Sequence, residues 1–237
     1  MTLTAEQPKT SLSLNGQIQN LIHNFRETLP PELTAILEQG AGEISAMPIV
    51  ENALNIGEKA PAFTLKNYNG DVRNLHDYLS KGPLVLTFYR GLWCPYCNLQ
   101  LAAYNARLND IKALGANLVA VSPEGVEGLD VVQNSNMPQE AKDTVVSAPD
   151  FDVLHDAGST LAKQYGLTFT LPEAHKKLLA MMNVDLEKAN GDDAYSFADP
   201  ATYIIGRDGM IKWAFIPNNY RKRAEPDAII EKIKKLK

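Results

Sequence analysis

Across 14–29 the apolar residues Leu14, Ile18, Leu21, Ile22, Phe25 and Leu29 recur at the spacing of one helix face, and Pro30 and Pro31 end the run. A second, shorter helix is predicted over 32–39, stopping at Gly40. The segments 62–66 and 72–75 flank Asn69-Gly70, a turn signal between two alternating stretches, and predict a hairpin. Residues 84–89 are almost continuously apolar between Gly82-Pro83 and Gly91, the pattern of a strand buried on both faces. Cys97, Leu101, Tyr104, Leu108 and Ile111 then trace one helix stripe up to Gly115, and 118–121 is the next strand. Strand, helix and strand in this order predict a right-handed crossover with parallel strands.

Further on, 124–146 reads as one irregular helix and 151–154 as a strand, followed by a helix over 159–165 that Gly166 closes. A helix through Met182 opens at Leu171-Pro172, and its Met and Leu residues read as core. The strands 202–205 and 210–215 flank Arg207-Asp208-Gly209 as a second hairpin. Pro226 suits the first turn of a last helix, with Ile229, Ile230, Ile233 and Leu236 on its inner side. The pattern is that of an α/β fold, a central mixed sheet flanked by helices. The expected organisation is a helical N-terminal extension over 1–52, with 1–11 a loose polar tail, and one α/β domain over 53–237. The extension packs on the core or on a second copy of the chain, so a homodimer is one expected assembly.

With 45% hydrophobic and 22% charged residues among 237, the chain has material for a packed core. A net charge of -5 without a basic block argues against nucleic acid and anionic membrane surfaces as partners, and the cluster Arg221–Arg223 is too short to change that. The polar start has no secretory pattern, and no apolar run approaches the roughly 20 residues of a membrane helix. The cytoplasm is therefore the expected compartment.

That compartment changes how the two cysteines, Cys94 and Cys97, are read. In a reducing environment such a pair points to redox chemistry before a structural staple. Both stand where the buried strand hands over to a helix, with Pro95 suited to the first helical position and Cys94 to the N-cap. A helix N-terminus stabilises a thiolate, and residues three apart share a face, so the pair can close a short disulfide. Zinc would need further ligands, and His23, His76, His155 and His175 show no paired spacing, so no metal and no other cofactor is expected. Two inert buried cysteines are the remaining alternative.

The segments GEKAPAFTL, LVLTFYRGLWCPYC, GANLVAVSPE, FDVLHDAGSTLAKQYGL and PATYIIGRDGMIKWAF resemble, in this order, the alkyl hydroperoxide reductase/thiol-specific antioxidant family, the peroxiredoxins and their relatives. The resemblance implies a thioredoxin-like fold and a thiol-dependent reduction of hydroperoxides, with a thioredoxin or glutathione system as reductant. Sliding the family's P-x-x-x-T-x-x-C pattern over the chain makes Cys97 the peroxidatic residue, with Arg90 in place of the Pro and Cys94 in place of the Thr. The Arg that the family carries ahead of its late strand is Pro200 here.

A second alignment, to thioredoxins and glutaredoxins, makes Cys94 the nucleophile. Trp93-Cys94-Pro95-Tyr96-Cys97 resembles their active-site motif, and Asp199-Pro200-Ala201-Thr202 resembles the segment in which a cis-proline faces the disulfide. The chain is most similar to peroxiredoxin-like relatives bearing a thioredoxin-type pair. A protein disulfide oxidoreductase is thus the alternative activity, and a redox-sensing interaction module without turnover a third reading. The candidate site comprises Cys94 and Cys97, supported by Arg90, Trp93, Pro95, Tyr96 and Pro200.

Overall fold

The computed structural model describes residues 12–236. The polar stretch 1–11, read above as a tail, lies outside the described residues. Strands β1 (Thr64–Asn67), β2 (Val72–Asn74), β3 (Leu84–Phe88), β4 (Asn117–Ser122) and β5 (Asp152–His155) come first, then a separate pair, β6 (Thr168–Thr170) and β7 (Ser196–Ala198). Two final strands, β8 (Ala201–Ile205) and β9 (Ile211–Phe215), complete a seven-stranded sheet of order β2-β1-β5-β4-β3-β8-β9. β3, β4 and β5 run parallel, and β8 lies antiparallel on the other side of β3. The predicted mixed sheet and thioredoxin-like fold are thus borne out.

All five residues of β3 are buried, as its apolar run requires of a strand covered on both faces. In the register, Phe88 sits opposite Val121 of β4 and Ala201 of β8. Whatever follows Phe88 therefore emerges between the end of β4 and the start of β8.

The helices, in chain order, are α1 (Leu14–Thr28), α2 (Pro31–Ser45), α3 (Ile49–Asn52), α4 (Leu75–Lys81), α5 (Pro95–Ala106) and α6 (Leu108–Ala113). They continue as α7 (Gly128–Asn134), α8 (Gln139–Lys142), α9 (Thr160–Gln164), α10 (Glu173–Met181), α11 (Leu186–Asn190) and α12 (Pro226–Lys234). α1 forms where its apolar period predicts and buries Leu14, Ile18, Leu21, Ile22 and Phe25, each worth about 1.5–3 kcal/mol relative to exposure. The Ser13 side chain caps it by accepting from Gly16 N–H at 3.1 Å, while the Glu225 carboxylate accepts from Leu14 and Asn15 N–H at 3.0 and 2.9 Å. Those last bonds tie the start of α1 to the residue that caps α12.

Several boundaries differ from the sequence expectation. α2 does not stop at Gly40 but runs through it to Ser45, because Gly40 is the contact point with α10. A Cβ there would lie 1.9 Å from His175 Nδ1, so the residue gives room to a neighbour instead of ending a helix. The long helix beyond Cys97 breaks at Arg107, whose φ of -109° and ψ of 10° leave the helical region, giving α5 and α6. The irregular stretch 124–146 holds two helices, α7 and α8, with Pro138 preceding the second. Leu75 begins α4 instead of ending a strand, since the Asn74 side chain accepts from Asp77 N–H and caps the turn. Leu236 is 37% exposed and lies beyond the last helix, off the inner face expected for it.

Candidate active site

Cys94 is the N-cap of α5 and Pro95 its first residue, the arrangement expected of a proline that needs no N–H bond there. The turn into the helix is fixed on both sides: Asn98 Nδ2 donates to the Leu92 carbonyl at 2.7 Å, and Leu92 N–H donates to Glu124 Oε2 at 2.8 Å. Both cysteines are free thiols with 0% exposure. No capping hydrogen bond reaches the Cys94 side chain from the helix N–H groups. Side-chain donors take that role.

Arg90 Nη2 donates to Cys94 Sγ at 3.1 Å, and Arg223 Nη2 donates to Cys97 Sγ at 3.3 Å. The Arg90 guanidinium lies 3.9 Å from the Tyr220 ring centroid and 4.8 Å from that of Trp93, an aromatic cage that holds a desolvated cation. Burial raises the Cys94 thiol, but the hydrogen bond from Cys97 and the charges of Arg90 and Arg223 outweigh it and hold Cys94 well below the ordinary thiol range. Burial, the hydrogen bond to Cys94 and the charge on Cys94 push Cys97 well above that range, against the opposing pull of Arg223 and Arg90. Both directions favour negative charge on Cys94 over Cys97.

A cavity of 60 Å³ opens over Cys94, with Arg90, Trp93, Pro95 and Tyr96 also on its wall. By this measure it has room for a few waters at about 10–15 Å³ each. Its far walls are apolar: Phe25, Leu29 and Leu37 from the N-terminal helices, and Leu178, Leu179 and Met182 from α10 and its end. Cys97 does not border it. Among the predicted site residues, Pro200 also lies off the cavity, buried at the start of β8, and its peptide bond with Asp199 is trans, not the cis bond of the thioredoxin-like alignment. Tyr96 is buried, with its ring 5.9 Å from that of Tyr220.

The structure adds residues that the sequence pattern did not single out. In the sequence Arg223 belongs to a short Lys/Arg cluster, and no local signal links it to Cys97. Glu124 follows β4 within the motif GANLVAVSPE, and its signal is positional: it leaves the C-terminal end of a strand parallel to β3, where α/β sheets place their sites. Burial, opposed by Leu92 N–H and reinforced by the charge on Cys94, raises its carboxyl to about 8. Asp199 is buried with no hydrogen-bond partner on either oxygen, and burial raises it to about 6 against the pull of Arg223 and Arg90. His175 shares a hydrogen bond with Tyr220 across 3.1 Å, and burial with Arg90 and Arg221 lowers it to about 3, so the ring is neutral.

Comparison with known proteins places the chain in a lineage. Residues 56–214 match the model of the AhpC/TSA family. The Mycobacterium tuberculosis protein named "Putative peroxiredoxin Rv2521" is 33% identical over 147 residues, spanning 58% of this chain and 89% of that one. Among solved structures, peroxidoxin BcpB of the same organism superposes with a TM-score of 0.53 at 21% identity, covering 78% of this chain and 99% of that one. The reduced 2-Cys peroxiredoxin of Plasmodium vivax gives 0.57 at 16% identity, covering 77% of this chain and 82% of its own. The chain belongs to the AhpC/TSA family, as a peroxiredoxin-like protein of the thioredoxin superfamily.

Proposed function

We propose that this chain is a thiol-dependent peroxidase in which Cys94 attacks the hydroperoxide and Cys97 resolves the product. One observation carries the assignment: of the two sulfurs, Cys94 borders the cavity and takes the short contact from Arg90. This reverses the order given by the P-x-x-x-T-x-x-C alignment, in which Cys97 is peroxidatic. The Cys94 thiolate displaces an alkoxide from the O–O bond and becomes a sulfenic acid, with Arg90 placed to stabilise the charge that moves onto the leaving oxygen. Cys97 then attacks the Cys94 sulfur, a disulfide forms and water leaves. A thioredoxin- or glutathione-type thiol restores the pair.

The apolar walls favour hydroperoxides that carry a hydrocarbon group over hydrogen peroxide itself. They also argue against the alternative activity on protein disulfides. A disulfide in a folded partner must meet the attacking sulfur in line, and both sulfurs have 0% exposure behind the N-terminal helices.

The deciding experiment mixes pre-reduced wild type, Cys94→Ser and Cys97→Ser with cumene hydroperoxide, hydrogen peroxide and a protein disulfide, following thiol loss and sulfenic acid trapping. Sulfenic acid on Cys94 in Cys97→Ser, with Cys94→Ser unreactive, is the expected result. Peroxide reactivity no faster than that of a free thiol in solution sinks the peroxidase. A mixed disulfide on Cys94 formed faster than any peroxide reaction makes the protein a disulfide oxidoreductase.

A further inference from the structure

β3 leaves the sheet between two buried carboxyls, Glu124 after β4 and Asp199 before β8, and the two are differently placed. Asp199 shares its surroundings with both guanidiniums of the site. Glu124 has none. It is 0% exposed, its Oε2 accepts from Leu92 N–H, its Oε1 has no partner, and among the described residues it joins no ion pair.

The space around it is built to fit. A Cβ on Gly128 would lie 2.1 Å from Glu124 Cδ, and one on Gly91 would lie 2.9 Å from Oε1, so two residues without side chains make room for the carboxyl. The groups facing it are the Cys94 sulfur at the start of α5, Tyr89 after β3 and Tyr68 after β1, with Trp93 Nε1 buried and unpartnered nearby. His155 and Glu127 lie against the adjoining Gly125. A carboxylate in this slot would be a nearly bare buried anion facing a second anion, the Cys94 thiolate, an arrangement that burial strongly disfavours.

We propose that Glu124 is the proton-holding partner of Cys94, a carboxylic acid while Cys94 is a thiolate and a carboxylate once Cys94 is oxidised. This rests on the reading that Cys94 is the thiolate, and it closes the proton balance of the cycle. Cys94–S⁻, Glu124–COOH and ROOH give Cys94–SOH, Glu124–COO⁻ and ROH. The O–O bond breaks, an S–O bond forms, sulfur gives up two electrons, the hydroperoxide's own proton leaves with the alkoxide as ROH, and the carboxyl proton passes to the oxygen on Cys94. Cys97–SH then displaces the Cys94 hydroxyl, and its proton departs with that hydroxyl as water. A thiol reductant returns two electrons and two protons, one proton to Cys97 and one to Glu124. The buried site carries the same net charge in every state, so no step has to bury a new unpaired charge. Glu124 is a positioning residue in this scheme: it acts through Cys94 and through its hold on the Leu92 turn.

The test uses infrared difference spectra of the reduced and disulfide forms of the full chain. Diamide serves as the oxidant, so that a failure of peroxidase activity does not affect the readout. The expected result is a carboxylic-acid carbonyl band in the dithiol form that is lost on disulfide formation, that shifts in protein made with 13C-labelled glutamate, and that is absent in Glu124→Gln. The glutamine keeps an acceptor for Leu92 N–H. The pH dependence of the dithiol–disulfide equilibrium near neutrality should correspondingly fall from two protons toward one per two electrons in Glu124→Gln. A reduced-form spectrum with no glutamic-acid band, or a band that survives oxidation unchanged, overturns the proposal.

Discussion

Arg223 donates to Cys97 Sγ at 3.3 Å although 126 residues separate them, and this long contact joins the turn before α12 to the first turn of α5. The same guanidinium also donates through Nη1 to the Tyr220 and Lys222 carbonyls, so its position is set by its own turn. Its charge is the first of the two that oppose the strong upward push on the Cys97 thiol. Removing it should leave Cys97 harder to deprotonate and slow the resolving step more than the first. In Arg223→Met we expect the Cys94 sulfenic acid to persist about tenfold longer, one pKa unit being a factor of ten. Two-phase stopped-flow tryptophan fluorescence separates the steps, and Arg223→Lys should recover part of the second phase. Equal slowing of both phases would remove Arg223 from the resolving step.

Arg90 does for Cys94 what Arg223 does for Cys97, at shorter range and facing the cavity. In Arg90→Met the burial penalty on the Cys94 thiolate is no longer offset by its nearest cation, and the thiol should move back toward or above its ordinary range. The second-order rate with peroxide at pH 7 should fall about 10–100-fold and recover as pH rises, because the residual rate then follows the thiolate fraction. A loss that stays constant across pH would mean that Arg90 acts on the peroxide alone.

The origin of these two arginines shows how far the sequence could be read. The strand that carries the site was legible because β3 is buried on both faces and its apolar run is uninterrupted. The helix start was legible because Pro95 has one suitable place. Arg90 could be named because it lies within the same local stretch. Arg223, Glu124 and Asp199 were not, since each comes to the site from a distant strand end or turn: the sheet order β4-β3-β8 sets Glu124 and Asp199 on either side of the end of β3, and the turn before α12 brings in Arg223. Gly40 misled for a related reason: a glycine that makes room for a neighbour looks, within its own segment, like one that ends a helix. The short β6–β7 pair also escaped, because three-residue strands carry too little alternation to register.

Gly40 supplies a stability test. Elsewhere in an exposed helix Gly→Ala would gain about 0.5–1 kcal/mol. Here the new methyl would lie 1.9 Å from His175 Nδ1 and 2.6 Å from its Cε1, and that ring is buried against Tyr220 and cannot swing aside freely. Gly40→Ala should therefore destabilise the fold by about 1–3 kcal/mol, the usual range for overpacking. It should also widen the cavity at Cys94, since His175, Leu178 and Leu179 all line it. A urea midpoint equal to or above that of wild type would show that α2 and α10 separate without cost.

The pH dependence of stability should turn on His175 and Glu124, with opposite signs. The His175 ring has its folded pKa lowered from 6.5 to about 3, so the unfolded chain binds the proton more readily, and this residue's contribution is lost as pH falls from about 6.5. The Glu124 carboxyl is raised from 4.5 to about 8, so the folded chain binds the proton more readily, and its contribution, present below 4.5, is lost as pH climbs toward 8. Between about 4.5 and 6.5 the two slopes oppose each other, and Asp199, raised from 3.8 to about 6, adds to the side of Glu124 over most of that window. Above 6.5 the Glu124 slope, up to about 1.4 kcal/mol per pH unit, is met by the opposite slope of Cys94, whose thiol is held well below its ordinary range in the fold and takes up a proton on unfolding until the pH passes about 8.5. Urea midpoints of the reduced protein should therefore stay nearly level from pH 6.5 to 8 in wild type and climb in Glu124→Gln, where the Cys94 slope is left alone, while His175→Gln should flatten the acid limb alone. Parallel climbs in wild type and Glu124→Gln would mean that the carboxyl is already ionised at pH 6.5 in the fold, and that the slot between Gly91 and Gly128 tolerates a charge.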